Sequence, residues 1–237
     1  MSLKEQVVVI TGGGGALGQA VTKAFLKAGG TVAIPYIIDA EADNLKRRFR
    51  KYGNQLVLYK ADVTDERSLR SFYREVVNNF GRVDALVNLV GGFSAGPTVA
   101  ELDTKEWDRM MDLNLKSAFI SCKVAIPFMK KERGGRIINM SSRAAVKGSA
   151  GASAYSVSKA GVVTLTQALA EELLADDITV NALMPSIIDT PANRQAMPNA
   201  DYAKWPKAED IAKVILFLAS DDSKLISGAA IPVYGKG

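Results

Sequence analysis

The chain alternates short apolar runs, rich in β-branched residues, with longer stretches in which apolar positions return every three or four residues. The short runs are VVVI (7–10), TVAIPYII (31–38), LVLYKADV (56–63), ALVNLV (85–90), RIINMS (136–141), ITVNALMP (178–185) and AAIPVY (229–234). Between them, ALGQAVTKAFLKAG places Leu17, Val21, Phe25 and Leu26 on one helical stripe, and DERSLRSFYREVVNNFG and AEDIAKVILFLASD repeat the pattern. Continuously apolar strands separated by helices predict a parallel sheet covered on both faces. The expected fold is therefore α/β and doubly wound, with about seven strands. Pro35 is a local conflict: it removes a ladder donor from what should be an inner strand, which is expected to end early or bend there.

Composition narrows the class. With 48% hydrophobic residues and no low-complexity or Pro/Ser-rich run, residues 1–237 read as a single globular domain. The opening MSLKEQVVVITG leaves no room for a signal peptide, and no apolar run approaches the ~18 residues of a membrane span. A single cysteine, Cys122, excludes an internal disulfide, so the expected location is the cytoplasm. The net charge of +5 is dispersed, as in NLKRRFRKYG and FMKKERGGR, with acids nearby. Solvated helix faces are expected, and neither nucleic acid nor membrane as a partner.

The sequence contains no histidine. That removes Ser-His-Asp and Cys-His catalysis and imidazole-based zinc sites, while one cysteine cannot build a thiolate cluster, so no metal site is expected. A proton-transfer catalyst would have to come from Tyr, Lys, Asp, Glu, Ser or Asn.

After the first strand comes TGGGGALG (11–18), which opens the first helix. Missing side chains there let backbone N–H groups approach a pyrophosphate at a helix N-terminus, the arrangement of a dinucleotide site. The Lys-Ser/Thr pair of an NTPase phosphate loop is absent. Polar residues follow other strands: Asp62, Asn88 and Gly91, Ser141 and Ser142, and the segment from Pro185 to Thr190. In an open α/β sheet that edge binds ligands, so these residues are expected to converge on one crevice.

AYSVSKAGV (154–162) sets Tyr155 four residues before Lys159, on one helix face. A phenol ordinarily titrates near ~10, but a nearby cation favours phenolate, so this pair is a candidate general acid/base. The same spacing also occurs in surface pairs without chemistry.

Thr11 to Gly18, Asp62, Asn88, Asn114, Ser142, Tyr155, Lys159 and PSIIDT together resemble the short-chain dehydrogenases/reductases in order and spacing, over essentially the whole chain. The most specific part is Ser142, thirteen residues before Tyr155, followed by Lys159. The resemblance implies a Rossmann-type fold and a hydride-transferring enzyme using NADP or NAD. It implies that Tyr155 exchanges a proton with the carbonyl or alcohol oxygen, that Ser142 hydrogen-bonds that oxygen, and that Lys159 binds the nicotinamide ribose and lowers the tyrosine pKa. Asn114 would support a water chain to the lysine. Gly12, Gly14, Gly15, Ala16 and Leu17 would cradle the pyrophosphate, Asp62 and Val63 would meet adenine, and Asn88 would lie beside the adenosine ribose. Tyr36 would border the same ribose, and Pro185, Ile188 and Thr190 would hold the nicotinamide.

Departures from the family pattern also inform. Ala16 replaces a glycine, NLVG replaces Asn-Asn-Ala-Gly, and Pro185-Ser186 replaces Pro-Gly. Tyr36, Ile37 and Ile38 stand where an acid would bind the ribose of NAD, which tilts the expectation towards NADP, although Asp39 is within reach. Residues 190–207, carrying Met197, Tyr202 and Trp205, are expected to form a short substrate lid or simply to pack against the domain. The segment is also similar to that of dihydropteridine reductases, which typically lack the serine. The readings are a reductase of 3-oxoacyl thioesters or similar ketones, a dihydropteridine reductase-like enzyme, and a dinucleotide-binding sensor without turnover. For the thioester reading, KKER (130–133) is a candidate contact for an acidic carrier protein. A homo-oligomer, tetramer or dimer, is expected from the apolar helix at 107–129.

Overall fold

The computed structural model describes residues 3–132 and 134–236. Its strands are β1 (Val7–Thr11), β2 (Thr31–Tyr36), β3 (Leu56–Lys60), β4 (Ala85–Asn88), β5 (Gly135–Met140), β6 (Ile178–Pro185) and β7 (Ala230–Val233). They form one sheet in the order β3-β2-β1-β4-β5-β6-β7, with every pair parallel. The helices are α1 (Ala16–Lys27), α2 (Asp39–Phe49), α3 (Glu66–Phe80), α4 (Thr104–Met110), α5 (Ser117–Lys131), α6 (Ser153–Glu172), α7 (Pro191–Ala196) and α8 (Ala208–Leu218).

Alternate strand residues serve two cores, as the pleat requires. Val7, Val9, Leu86, Ile137 and Val180 pack with Leu69, Tyr73, Val124 and Leu169 of α3, α5 and α6. Val8, Ile10, Ile34, Val87 and Leu183 pack with Val21, Phe25, Leu45 and Ile215 of α1, α2 and α8. Each such fully buried aliphatic side chain contributes roughly 1.5–3 kcal/mol. The sheet therefore has no wet face, which is why its strands read as continuous apolar runs.

The apolar runs overshoot the strands at their C-terminal ends: β2 stops at Tyr36 rather than Ile38, β3 at Lys60 and β4 at Asn88. There the chain leaves the ladder to build loops along one edge. Pro35 is accommodated inside β2, opposite Tyr59 of β3. Ala61 N donates to Tyr36 O, so Tyr36 faces β3 and Pro35 faces the β1 side. Pairing to β1 stops at Ala33, where the next donor would be the missing N–H of Pro35, while pairing to β3 runs on through Tyr36, so the proline ends one ladder and leaves the other intact.

Capping follows the sequence locally. Asp65 accepts from Arg67 N and Ser68 N at the start of α3, and Gly81 closes the helix in the left-handed conformation at φ 79°. Of the basic segment 130–133, Lys130 pairs with Asp176 at 2.6 Å, and Arg133 lies outside the described residues. Among the described residues no helix is long and apolar enough to cross a membrane.

Candidate active site

Strand order reverses between β1 and β4, which pair directly with Thr11 opposite Asn88. Loops from neighbouring strands separate there and leave a crevice. The chain leaving β1 turns at Gly12, whose φ of 71° disfavours any side chain. A Cβ at Gly12 would lie 3.0 Å from Val90 N, and one at Gly18 would collide with Gly12 O. The loop is thus folded tightly between the exit of β4 and the first turn of α1. Gly15 is the N-cap of α1 and has no side chain to accept from the first-turn N–H groups, which Ala16 and Leu17 lead into. Unpartnered donors at the positive end of a helix, in a cradle a Cβ would fill, fit a dinucleotide pyrophosphate.

Asn88 ends β4 with its side chain turned into the protein. Its side chain is buried, accepting from Thr11 Oγ1 at 3.3 Å and donating to Asn139 Oδ1 at 2.9 Å, while Asn139 donates to Thr166 Oγ1 at 2.9 Å. This chain of amides and hydroxyls ties β1, β4, β5 and α6 together inside the protein. Asp62 is exposed after β3, with Oδ1 accepting from Thr64 N at 2.8 Å and Thr64 Oγ1 at 2.7 Å, and Val63 is buried beside it. Tyr36 ends β2 on the same edge.

The Tyr155–Lys159 pair lies near the N-terminal end of α6. Lys159 is buried, and Nζ donates to Met140 O at the end of β5 at 3.0 Å. Burial pulls its pKa down to about 8. Asn114 lies in a π turn, Met111–Lys116, between α4 and α5. Its Oδ1 accepts from Gly92 N at 2.8 Å, and its Nδ2 donates to Gly92 O at 3.1 Å and to Ser158 Oγ at 3.0 Å. A Cβ at Gly91 would lie 2.7 Å from Asn114 Oδ1 and 3.1 Å from Lys159 Nζ. Gly91, Asn114 and Lys159 therefore meet in one place, drawn from the loop after β4, the π turn and α6.

The two serines after β5 divide. Ser141 is buried and donates to Lys159 O at 2.7 Å, so its hydroxyl is spent holding the helix. Ser142 is half-buried and accepts from Ala144 N at 3.2 Å. Burial raises the Tyr155 phenol above its ordinary value, and a hydrogen-bond contribution from Ser142 opposes the rise. Burial thus shifts both groups towards their neutral forms, lowering the Lys159 ammonium and raising the Tyr155 phenol.

Sequence reasoning missed Ser158 and Phe93. Ser158 links Asn114 to the Tyr155 carbonyl, which its hydroxyl reaches at 2.8 Å. Phe93 is 68% exposed yet meets the Tyr155 ring edge-to-face at 5.0 Å. An aromatic two residues after Gly91 was a visible signal, but only the fold brings it to Tyr155.

Beyond β6, Pro185 is buried, and Ser186 Oγ donates to Tyr234 O at 2.7 Å. Ile188 packs against the core, its carbonyl accepting from Asn193 Nδ2 at 2.8 Å, and Thr190 Oγ1 caps α7 by accepting from Asn193 N at 3.2 Å. Tyr202 and Trp205 pack on each other at 5.0 Å, and Arg194 lies 4.7 Å over Tyr202. The aromatics of 190–207 are therefore largely engaged within their own segment.

A parallel sheet with a glycine loop at its switch point and a Tyr-Lys pair on the adjoining edge defines an NAD(P)-dependent oxidoreductase of the Rossmann type, acting on carbonyl and alcohol groups. The short chain dehydrogenase family model matches residues 6–201, and the chain belongs to that family. It is 33% identical to the 3-oxoacyl-[acyl-carrier-protein] reductase FabG of Thermotoga maritima, over 99% of this chain and 98% of that protein. Among solved structures, ElxO with NADP bound superposes with a TM-score of 0.91 at 29% identity, covering 97% of each chain. NAD+-bound xylitol dehydrogenase gives 0.91 at 26% identity, covering 99% of this chain and all of that one. Structures similar to this chain thus bind either dinucleotide.

Proposed function

We propose that the protein reduces 3-oxoacyl thioesters or similar ketones, with Tyr155 as the proton donor. The observation that carries this reading is the convergence of Tyr155, Lys159, Ser142 and Asn114 on the edge that also holds the glycine loop. The bound dinucleotide supplies hydride, and the remaining work falls to the side chains. Tyr155 gives its phenolic proton to the carbonyl oxygen, or takes one from the alcohol in the reverse direction. Ser142 hydrogen-bonds that oxygen and stabilises the charge that develops on it. Ser142 is favoured over Ser141 because the latter is committed to Lys159 O. Lys159 holds the nicotinamide ribose, and Asn114 fixes the wall beside it. The thioester substrate is supported by the likeness to the Thermotoga maritima reductase.

The same reading treats residues 1–237 as one catalytic domain, with 190–207 as its lid, working in the cytoplasm as a homo-oligomer. Phe119 of α5 and Val157 of α6 are 47% and 48% exposed, which supports an apolar subunit contact. Light scattering that finds only monomer at micromolar concentration would remove the oligomer.

The test compares oxidation of NADH and NADPH by the purified protein with a short 3-oxoacyl thioester and with a quinonoid dihydropterin. Turnover of the thioester supports the proposal. Turnover of the pterin alone transfers the function to a dihydropteridine reductase-like enzyme. Silence with both, alongside retained dinucleotide binding, overturns it in favour of a sensor.

A further inference from the structure

The adenosine end of the crevice lacks an acid at the end of β2, where Tyr36, Ile37 and Ile38 stand, but a carboxylate reaches it from elsewhere. A Cβ placed on Gly14 would lie 2.7 Å from Glu41 Oε2 and 3.2 Å from Glu41 Cβ. The second distance matters more, because Cβ is carried by the backbone of α2 and does not move with the rotamer. The first turn of α2 is therefore laid directly over the glycine loop, with Glu41 facing Gly14. From the other side Gln19 Nε2 donates to Gly14 O at 2.7 Å, so the loop is held in place.

A carboxylate aimed at an anion-binding loop weakens affinity for every phosphate near it unless a ligand hydroxyl donates to it. A ribose 2′-hydroxyl is such a donor, whereas a 2′-phosphate, with a charge near ~−2, is repelled. No base offsets this: residues 11–18 and 36–43 contain neither Lys nor Arg. The cation at the end of β3, Lys60, is held by Asp39 at 2.9 and 3.1 Å. That pair also occupies Asp39, the other acid within reach.

Resting on the dinucleotide reading above, we propose that Glu41 accepts a hydrogen bond from the adenosine 2′-hydroxyl and makes the site selective for NAD(H) over NADP(H). Glu41 stands in the first turn of α2 and takes the part an acid at the end of β2 would play. The tilt towards NADP, drawn from the residues at 36–38, is reversed by this contact.

The experiment measures dissociation constants for NADH and NADPH from nicotinamide fluorescence, without substrate, on the full chain, on Glu41→Gln, and on a double variant, Asp39→Asn with Lys60→Gln, which removes the neighbouring acid without freeing its cation. Glu41 is exposed, so its substitution leaves the cores intact. The full chain is expected to bind NADH at least about tenfold more tightly than NADPH, the size of one hydrogen bond to a charged group. Glu41→Gln should lose most of that ratio, and the double variant of Asp39 and Lys60 should keep it within about twofold. Equal or tighter NADPH binding by the unaltered chain, or an unchanged ratio in Glu41→Gln, would overturn Glu41 as the selector while leaving the dinucleotide reading in place. Failure to bind either dinucleotide would overturn both.

Discussion

Asn114 and Ser158 lie 44 residues apart in sequence, and the amide of the first donates to the hydroxyl of the second at 3.0 Å. Ser158 passes the link to the Tyr155 carbonyl at 2.8 Å, while Asn114 also clamps both polar groups of the Gly92 main chain. One amide thus joins the loop after β4 to the helix that carries the tyrosine and lysine. The π turn is what turns Asn114 inwards, since a residue inserted into a helix shifts the register of every side chain after it.

Replacing Asn114 by Ala should lower unfolding free energy by about 1–3 kcal/mol, because the Gly92 groups lose their partner. Ser158→Ala should cost less, about 0.5–1.5 kcal/mol, as Asn114 keeps Gly92. Urea denaturation of both variants checks the order.

Tyr155→Phe removes one oxygen and retains the ring that meets Phe93. Turnover should fall by roughly 10²–10⁴, with the NADH dissociation constant within about twofold of the unaltered protein. Single-turnover rates and fluorescence titration separate the two effects.

Lys159 couples stability to pH. Its folded pKa of about 8 lies below the ordinary 10.5, so the folded state resists the charged form. The penalty is fully present below pH 8 and fades as pH rises from 8 towards 10.5. Lys159→Met should therefore be relatively most stable at pH 7, by up to about 3 kcal/mol, and lose that advantage by pH 10. Parallel urea titrations at pH 7 and 10 test the sign, and a constant difference would refute it.

Asn139 stands in the middle of the buried chain from Thr11 to Thr166. Asn139→Ala takes the oxygen acceptor from Asn88 Nδ2 and the donor from Thr166 Oγ1, although Asn88 keeps Thr11 and Thr166 keeps Val162 O, and it opens a small cavity, so a loss of about 2–4 kcal/mol is expected. The variant's thermal midpoint should fall by several degrees.

Phe93 is expected to position substrate. Phe93→Ala should raise KM for the ketone by about two- to tenfold, the worth of one aromatic contact, and leave cofactor affinity unchanged. Steady-state kinetics at saturating cofactor reads this directly.

Local spacing by itself determined the class of this protein. Apolar runs alternating with helical stripes dictated a sheet covered on both faces, the glycine loop followed the first strand, and the i, i+4 step set Tyr155 and Lys159 on one face. Each of these depends on residues close in sequence, whose relative positions follow from the geometry of one strand, turn or helix. What only the tertiary structure decided is which partner each polar atom meets. Asn88 turned inwards to Asn139, Ser141 was taken by the Lys159 carbonyl while Ser142 stayed beside Tyr155, and Glu41 came to lie on Gly14. Pro35 fitted a strand because its missing donor falls on the β1 side, where pairing stops at Ala33, and not on the β3 side, where it continues. These contacts join residues tens of positions apart through strand order and helix placement, and a hydrogen bond a few ångströms long is settled only once those elements are packed.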